Sequence, residues 1–293
     1  MRNFRQNRIA VILFLLPAVL LFVGIIIIPI FLSINYSLYK WDGITEGTFV
    51  GLKNYIDLFT SKSVGFPKTL RNALLLAFLS VVIQLPISLF LAIVLARGVK
   101  GEKFFVGLFF TPVLISTVVI GQLWMKIYNP DYGLINAGLR ALGLDQWTRV
   151  WLGDQNTALY AVFIPILWQY VGYHMLLMYA GIKNISQEIN EAAIMDGASG
   201  FSLARYITIP LLRPVLQVCV VFAVTGSLKA FDLIYVLTNG GPAHASEVPS
   251  TLMVAQIFGR NKYGFGSAIA VFIIFLCFFF AILIKRLFKV KEY

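Results

Sequence analysis

Six stretches of this chain are free, or nearly free, of Asp, Glu, Lys and Arg, and each is long enough to cross a bilayer as a helix. Spanning the hydrocarbon core takes about 20 apolar residues. The stretches run over 9–39, 72–96, 104–125, 155–182, 214–238 and 263–284, the fifth carrying Lys229 and Asp232 inside it. A segment of that kind must satisfy its own backbone hydrogen bonds, because lipid offers none, and helix is the solution that does so within one segment. Composition agrees: 59% of residues are hydrophobic and 13% charged, with a mean hydropathy of +0.83. An ordinary soluble domain is about 25% charged. A soluble enzyme, a disordered chain and a disulfide scaffold are excluded. An outer-membrane barrel is disfavoured, because its strands alternate in polarity and these blocks do not. The expected fold is an all-α polytopic membrane protein. It has one transmembrane domain over 1–293, with spans near 9–34, 70–96, 104–127, 156–182, 214–237 and 263–285.

Charge sets the expected orientation. An even number of spans places both termini on one side. With that side cytoplasmic, the inner segments hold 13 Lys and Arg in 55 residues, and the outer segments hold 10 in 85. This is the usual inside-positive bias, and it accounts for the net charge of +11 without nucleic acid. Arg2, Arg5 and Arg8 precede the first run, which exceeds a typical signal core and has no small-residue cleavage site after it. It reads as an uncleaved span. Cys219 and Cys277 lie inside apolar runs and read as small buried hydrophobes.

The connections carry local signals. Residues 49–59 place Leu52, Tyr55, Ile56 and Phe59 on one helical face, as in a short helix at the membrane surface. Trp147 and Trp151 are candidate interfacial anchors, and Asn239-Gly240-Gly241-Pro242 is a turn. The longest inner connection, 183–213, reads as two short helices. Asn184 or Ser186 caps the first, whose apolar face is Ile189, Ala192 and Ala193; Asp196-Gly197 breaks it, and Ser199 caps the second, which Pro210 stops. Glu191 and Asp196 offer carboxylates beside the small face.

Glu191-Ala192-Ala193, then Gly197, Ile207, Ile209 and Pro210, match the spacing of the EAA loop of binding-protein-dependent ABC importer permeases. Ile209 stands where leucine is usual. The strings EAAIMDGAS, FVGLKNYIDLF and FDLIYVLTNGGP extend the resemblance over nearly the whole chain, toward the carbohydrate-uptake branch of maltose- and glycerol-phosphate-type permeases. The resemblance implies that the loop, lying between the fourth and fifth spans, docks on a separate cytoplasmic ATPase dimer. Glu191 would make a charged contact there. Ala192, Ala193, Gly197 and Ala198 would pack closely, with Asp196 and Ile207 in the same element and Pro210 shaping the exit. It further implies a second homologous permease, an extracytoplasmic solute-binding protein, a sugar as substrate and the cytoplasmic membrane of a bacterium or archaeon. ATP and Mg would belong to the ATPase, and this chain would bind no cofactor.

The chain has no Gly-Lys dipeptide and therefore no phosphate-cradling loop of its own. No His, Cys, Asp and Glu cluster has metal-ligand spacing, and no Gly-x-Ser-x-Gly elbow is present, so no catalytic or metal residue is expected. Ionisable residues at membrane depth are costly. Lys229 and Asp232 are three apart, and a mutually neutralising structural pair is the favoured reading over a polar group near the sugar path. Span four carries Trp168, Gln169, Tyr170, Tyr173 and His174, aromatic and amide side chains that suit a sugar's apolar faces and hydroxyls. By the family resemblance, Gln169, Tyr170 and Tyr173 on that span and Gly226, Ser227 and Ala230 on the fifth fall near the sugar. His174 reads as a hydrogen-bonded packing residue. The rival function is a secondary transporter driven by an ion gradient.

Overall fold

The structure is a computed structural model that describes residues 8–61 and 64–288; Arg2, Arg5, Lys62, Lys289 and Lys291 of the charge count lie outside them. The described residues are mostly helical. Among the described residues, five helices are long and apolar enough to span a membrane, and a sharply bent pair makes a sixth span if counted as one. The chain divides into two compact units, Met1–Val64 with Met253–Ile274, and Gly65–Leu252 with Phe275–Tyr293.

The first unit begins with α1 (Val11–Tyr36). A two-stranded hairpin, β1 (Tyr39–Lys40) with β2 (Thr48–Phe49), leads to α2 (Lys53–Thr60). The Asn54 amide of α2 donates to the carbonyls of Ser37 and Tyr39 at 2.7 and 2.9 Å, which fastens the helix to the end of α1. Asn54 and Leu58 face inward, while Leu52, Ile56 and Phe59 are exposed. Tyr55, the fourth residue of the face read from the sequence, departs from it: it is half-buried and its hydroxyl donates to Ser37 Oγ at 2.7 Å.

The second unit holds α3 (Phe66–Ala96), the bent pair α4 (Glu102–Leu114) and α5 (Thr117–Ile127), then α6 (Leu134–Ala141) and α7 (Ala158–Lys183). After α7 come α8 (Gln187–Met195) and a short α9 (Gly200–Leu203). The chain continues through α10 (Arg213–Leu228), α11 (Asp232–Thr238), α12 (Pro249–Val254) and α13 (Tyr263–Phe288), the last two passing between the units. α7 is the central element, packed chiefly on α3 and α4. At Gly172 a Cβ would run into the backbone carbonyl of Phe109, so α4 and α7 touch backbone to backbone. Ser88 Oγ donates to the Val171 carbonyl at 2.8 Å on the α3 side. Close approach through small residues is the usual means of helix association in lipid, where no hydrophobic drive separates helix from solvent.

Three sequence expectations change. The third span is not one straight helix: α4 and α5 meet at 96°. Ile115 and Ser116 take extended ψ values of 138° and 132° just after Pro112, and the chain cannot stay helical there. Lys229 and Asp232 do not share a helix face, because the helix breaks between them and Phe231 adopts φ −142°. Pro210 does not stop the second short helix. A π-turn over Ala204–Thr208 carries the helix through it to Leu211, with Ile209 N–H bonded five residues back to Ala204. The wider turn relieves the clash of a proline ring with the preceding turn. The same device precedes Pro29 and Pro86, at Val23–Ile27 and Ser80–Gln84.

Trp147 is exposed, whereas Trp151 turns inward and donates to Asn136 Oδ1 at 2.8 Å. Asn239 and Gly240 turn the chain with φ of 48° and 83°. Cys219 is buried and Cys277 partly so, both as free thiols.

Gly172→Ala should lower stability by about 1–3 kcal/mol, the cost of overpacking against backbone that cannot yield. Gly107→Ala, where a Cβ meets open space, should not. Thermal unfolding of both purified variants in detergent checks this.

Candidate functional site

The spans of the second unit surround a cavity of about 380 Å³. That lies in the usual range for small-ligand pockets. Each wall has a local origin. α3 supplies Ser80 and Gln84 from its π-turn, where the extra residue rotates two polar side chains to the interior. Thr117 comes from the start of α5, just past the bend. α7 contributes Phe163, Gln169, Tyr170, Tyr173 and His174, and α10 contributes Phe222, Thr225, Gly226 and Ser227. Lys229, Ala230, Phe231 and Asp232 come from the break between α10 and α11.

All six residues expected near the solute, Gln169, Tyr170, Tyr173, Gly226, Ser227 and Ala230, line this one cavity. They differ in what they can offer. Ser227 is already engaged, donating to the Ala223 carbonyl at 2.8 Å and lying 3.3 Å from Ser80 Oγ. Gly226 has open space where a Cβ would be, so it leaves room. Tyr173 forms an aromatic corner with His174 at 5.3 Å and Phe222 at 6.3 Å between ring centroids. Gln169 is 2% exposed and its Oε1 has no hydrogen-bond partner.

His174 departs from its sequence reading. It is 3% exposed, and Nδ1 has no partner. It is a wall residue with unspent bonding capacity, not a hydrogen-bonded packing residue. Buried polar groups left without partners are uncommon and costly. Lys229 and Asp232 also depart: both line the cavity, and no ion pair joins them. Sequence reasoning missed Ser80, Gln84 and Thr117. Their available signals were a glutamine in an apolar run two residues before Pro86, and a Ser-Thr pair following Pro112.

The eight residues expected in the 183–213 connection form a second group. Ser186 Oγ accepts from Ile189 N–H at 3.4 Å to open α8. Gly197, at φ 84°, closes it: Ala198 N–H bonds the Ala193 carbonyl and Gly197 N–H the Ile194 carbonyl, both at 2.9 Å. This is a Schellman ending, which needs the left-handed residue. Ala193 is buried, whereas Glu191, Ala192, Asp196 and Gly197 are exposed, and Ala198, Ile207 and Pro210 are half-buried. Of the expected small face, Ala193 turns inward, while Ile189 and Ala192 stay outside. Glu191 Oε1 accepts from Gln187 Nε2 at 2.6 Å, one turn back. Among the described residues no group of His, Cys, Asp and Glu is placed to hold a metal ion.

The chain belongs to the binding-protein-dependent ABC importer permeases: residues 84–290 match the family described as "Binding-protein-dependent transport system inner membrane component". It is 41% identical over 287 residues to the probable ABC transporter permease protein YurN of Bacillus subtilis, covering 97% of each chain. It is 33% identical over 269 residues to the trehalose/maltose transport system permease protein MalF of Thermococcus litoralis, covering 91% of this chain and 90% of the other. A chain in the crystal structure of a bacterial alginate ABC transporter, complexed with an alginate pentasaccharide-bound periplasmic protein, superposes with a TM-score of 0.84. It is 21% identical, and each chain is covered in full. That likeness establishes the fold.

Because no ion pair joins Lys229 to Asp232, Lys229→Met and Asp232→Asn should each cost less than about 3 kcal/mol of stability. Breaking a true buried pair would instead cost about 3–5 kcal/mol for either single change. Unfolding of the two single variants in detergent separates the two outcomes.

Proposed function

We propose that this chain is one permease subunit of an ATP-driven importer that carries a sugar or oligosaccharide by alternating access, acting as a single transmembrane domain over 1–293. The cavity supports this reading more than any other feature. Tyr170, Tyr173, Phe222 and Phe231 supply ring faces, and Gln84, Thr117, Gln169 and His174 supply donors and acceptors, in one space. A sugar presents that same mixture of apolar faces and hydroxyls. The relative named for trehalose and maltose transport is in keeping with it.

With both termini cytoplasmic, the 183–213 connection meets the cytosol. Its exposed apolar side chains support a docking role: Met195 is 88% exposed, Phe201 81% and Tyr206 74%. Large hydrophobes on a water-facing loop fit a partner's cleft. In this reading α8 seats on a cytoplasmic ATPase dimer, with Glu191 and Asp196 facing basic groups there. The ATPase binds ATP and Mg; this chain performs no covalent chemistry and binds no cofactor. Nucleotide-driven closure moves α8, and the spans reorient around the cavity. A solute-binding protein delivers the sugar from outside. α1 exposes nearly all of its apolar side chains, a surface that lipid and a second homologous permease would cover.

One observation favours the ion-driven alternative: Asp232 lines the cavity with no ion-pair partner among the described residues. Uptake that requires ATP and ignores proton and sodium ionophores removes it.

The test is the complete importer in proteoliposomes, assayed with labelled neutral disaccharides. Glu191→Lys should retain ATP hydrolysis while uptake falls about ten-fold or more, the size of a typical allosteric coupling. Gln169→Ala or Tyr173→Ala should change the ranking of the disaccharides. Full uptake by the first variant would remove the coupling role, and an unchanged ranking in the others would remove the cavity as the sugar site.

A further inference from the structure

The turn joining α3 to α4 holds the 183–213 connection at two points. Arg97, the residue after α3, donates from Nη2 to the Gly200 carbonyl at 2.9 Å. Glu102, the first residue of α4, places Oε1 2.8 Å from Lys183 Nζ, and the same oxygen accepts from the Tyr179 hydroxyl. Lys183 ends α7 and Gly200 begins α9, so the two tethers stand on either side of α8. The turn is built for this. Gly98 and Gly101 take φ of 81° and 82°, a conformation that favours glycine.

These contacts are poorly explained by stability. The side chains of Lys183 and Glu102 are 41% and 19% exposed, and Arg97 sits at the surface. Ion pairs in such positions contribute little to folding. What they do is mechanical. Without them, the chain on either side of α8 carries its displacement into α7 and α10. With them it also enters α3 and α4, the helices packed on α7. α3 carries Ser80 and Gln84 into the cavity wall.

We propose that Arg97 and Glu102 are positioning residues that clasp the loop on both sides of α8 and transmit its movement to α3 and α4, and through them to the cavity. The proposal rests on the coupling role given above to the 183–213 connection.

The experiment uses the complete importer in proteoliposomes, with Thr225→Cys as a cavity reporter in a Cys219→Ala, Cys277→Ala background. The probe is a membrane-impermeant maleimide, so no solute is required. In the otherwise unchanged protein, ATP with vanadate should alter the labelling rate about five-fold or more. Arg97→Ala and Glu102→Gln should each cut that response to less than half while the ATPase subunit still co-purifies. Arg97→Lys, which keeps a donor, and the exchange Glu102→Lys with Lys183→Glu, which keeps a pair, should restore it. A full response in Arg97→Ala and Glu102→Gln, alongside a lost response in Glu191→Lys, overturns the clasp and leaves the coupling loop standing. A full response in Glu191→Lys overturns the coupling reading itself. Loss of ATPase co-purification in the clasp variants, or no rescue by the conservative ones, also overturns the proposal, since either result makes the residues docking or folding elements.

Discussion

The bundle depends on one contact in which a helix backbone lies directly on another. Gly172 of α7 sits where any side chain would strike the Phe109 carbonyl of α4. On its other flank α7 receives the Ser88 hydroxyl at the Val171 carbonyl. In lipid, helices gain nothing from hiding hydrocarbon that lipid already solvates, so packing and hydrogen bonds decide how they associate. Held on both sides near its middle, α7 has little freedom to rotate. Its orientation then dictates which of its residues meet the cavity: Gln169, Tyr170, Tyr173 and His174, within two turns of the contact.

Three irregularities of the helices border the cavity. The Ser80–Gln84 π-turn, the 96° bend before Thr117 and the break at Lys229–Phe231 each place polar residues on the cavity wall. A π-turn inserts one residue into a turn and so changes which side chains face inward. Repetition of that turn before Pro29, Pro86 and Pro210 shows a single local solution: the helix is widened so that a proline passes through without ending it. Non-helical backbone at membrane depth is tolerated where it lines a cavity, which is where α10 gives way to α11.

The cavity combines saturated and unsaturated polar groups. Ser227 is committed to its own helix, whereas Gln169 Oε1 and His174 Nδ1 have no partner in this state. Buried polar groups without partners are costly, so these two atoms have free energy to gain from any group that meets them. The 183–213 connection differs: its turns are closed by its own caps, and Met195, Phe201 and Tyr206 are exposed.

Much of this was legible along the chain because it is decided over short distances. An apolar run becomes a spanning helix from its own composition; Ser186 and Gly197 delimit α8 through bonds to residues within one turn. The EAA spacing and the aromatic and amide residues of α7 are likewise written in consecutive residues. What lies around the cavity is decided elsewhere. Ser80 and Gln84 join it because a π-turn rotates them toward α7 and α10, and Thr117 because α4 turns sharply ahead of it. Lys229 and Asp232 have the spacing of a helical pair, yet a break separates them and both face the cavity. His174 Nδ1 has no hydrogen-bond partner, and Arg97 meets Gly200 across 103 positions of sequence. Spacing along a helix determines which side chains could share a face; contacts between distant helices determine which face turns inward.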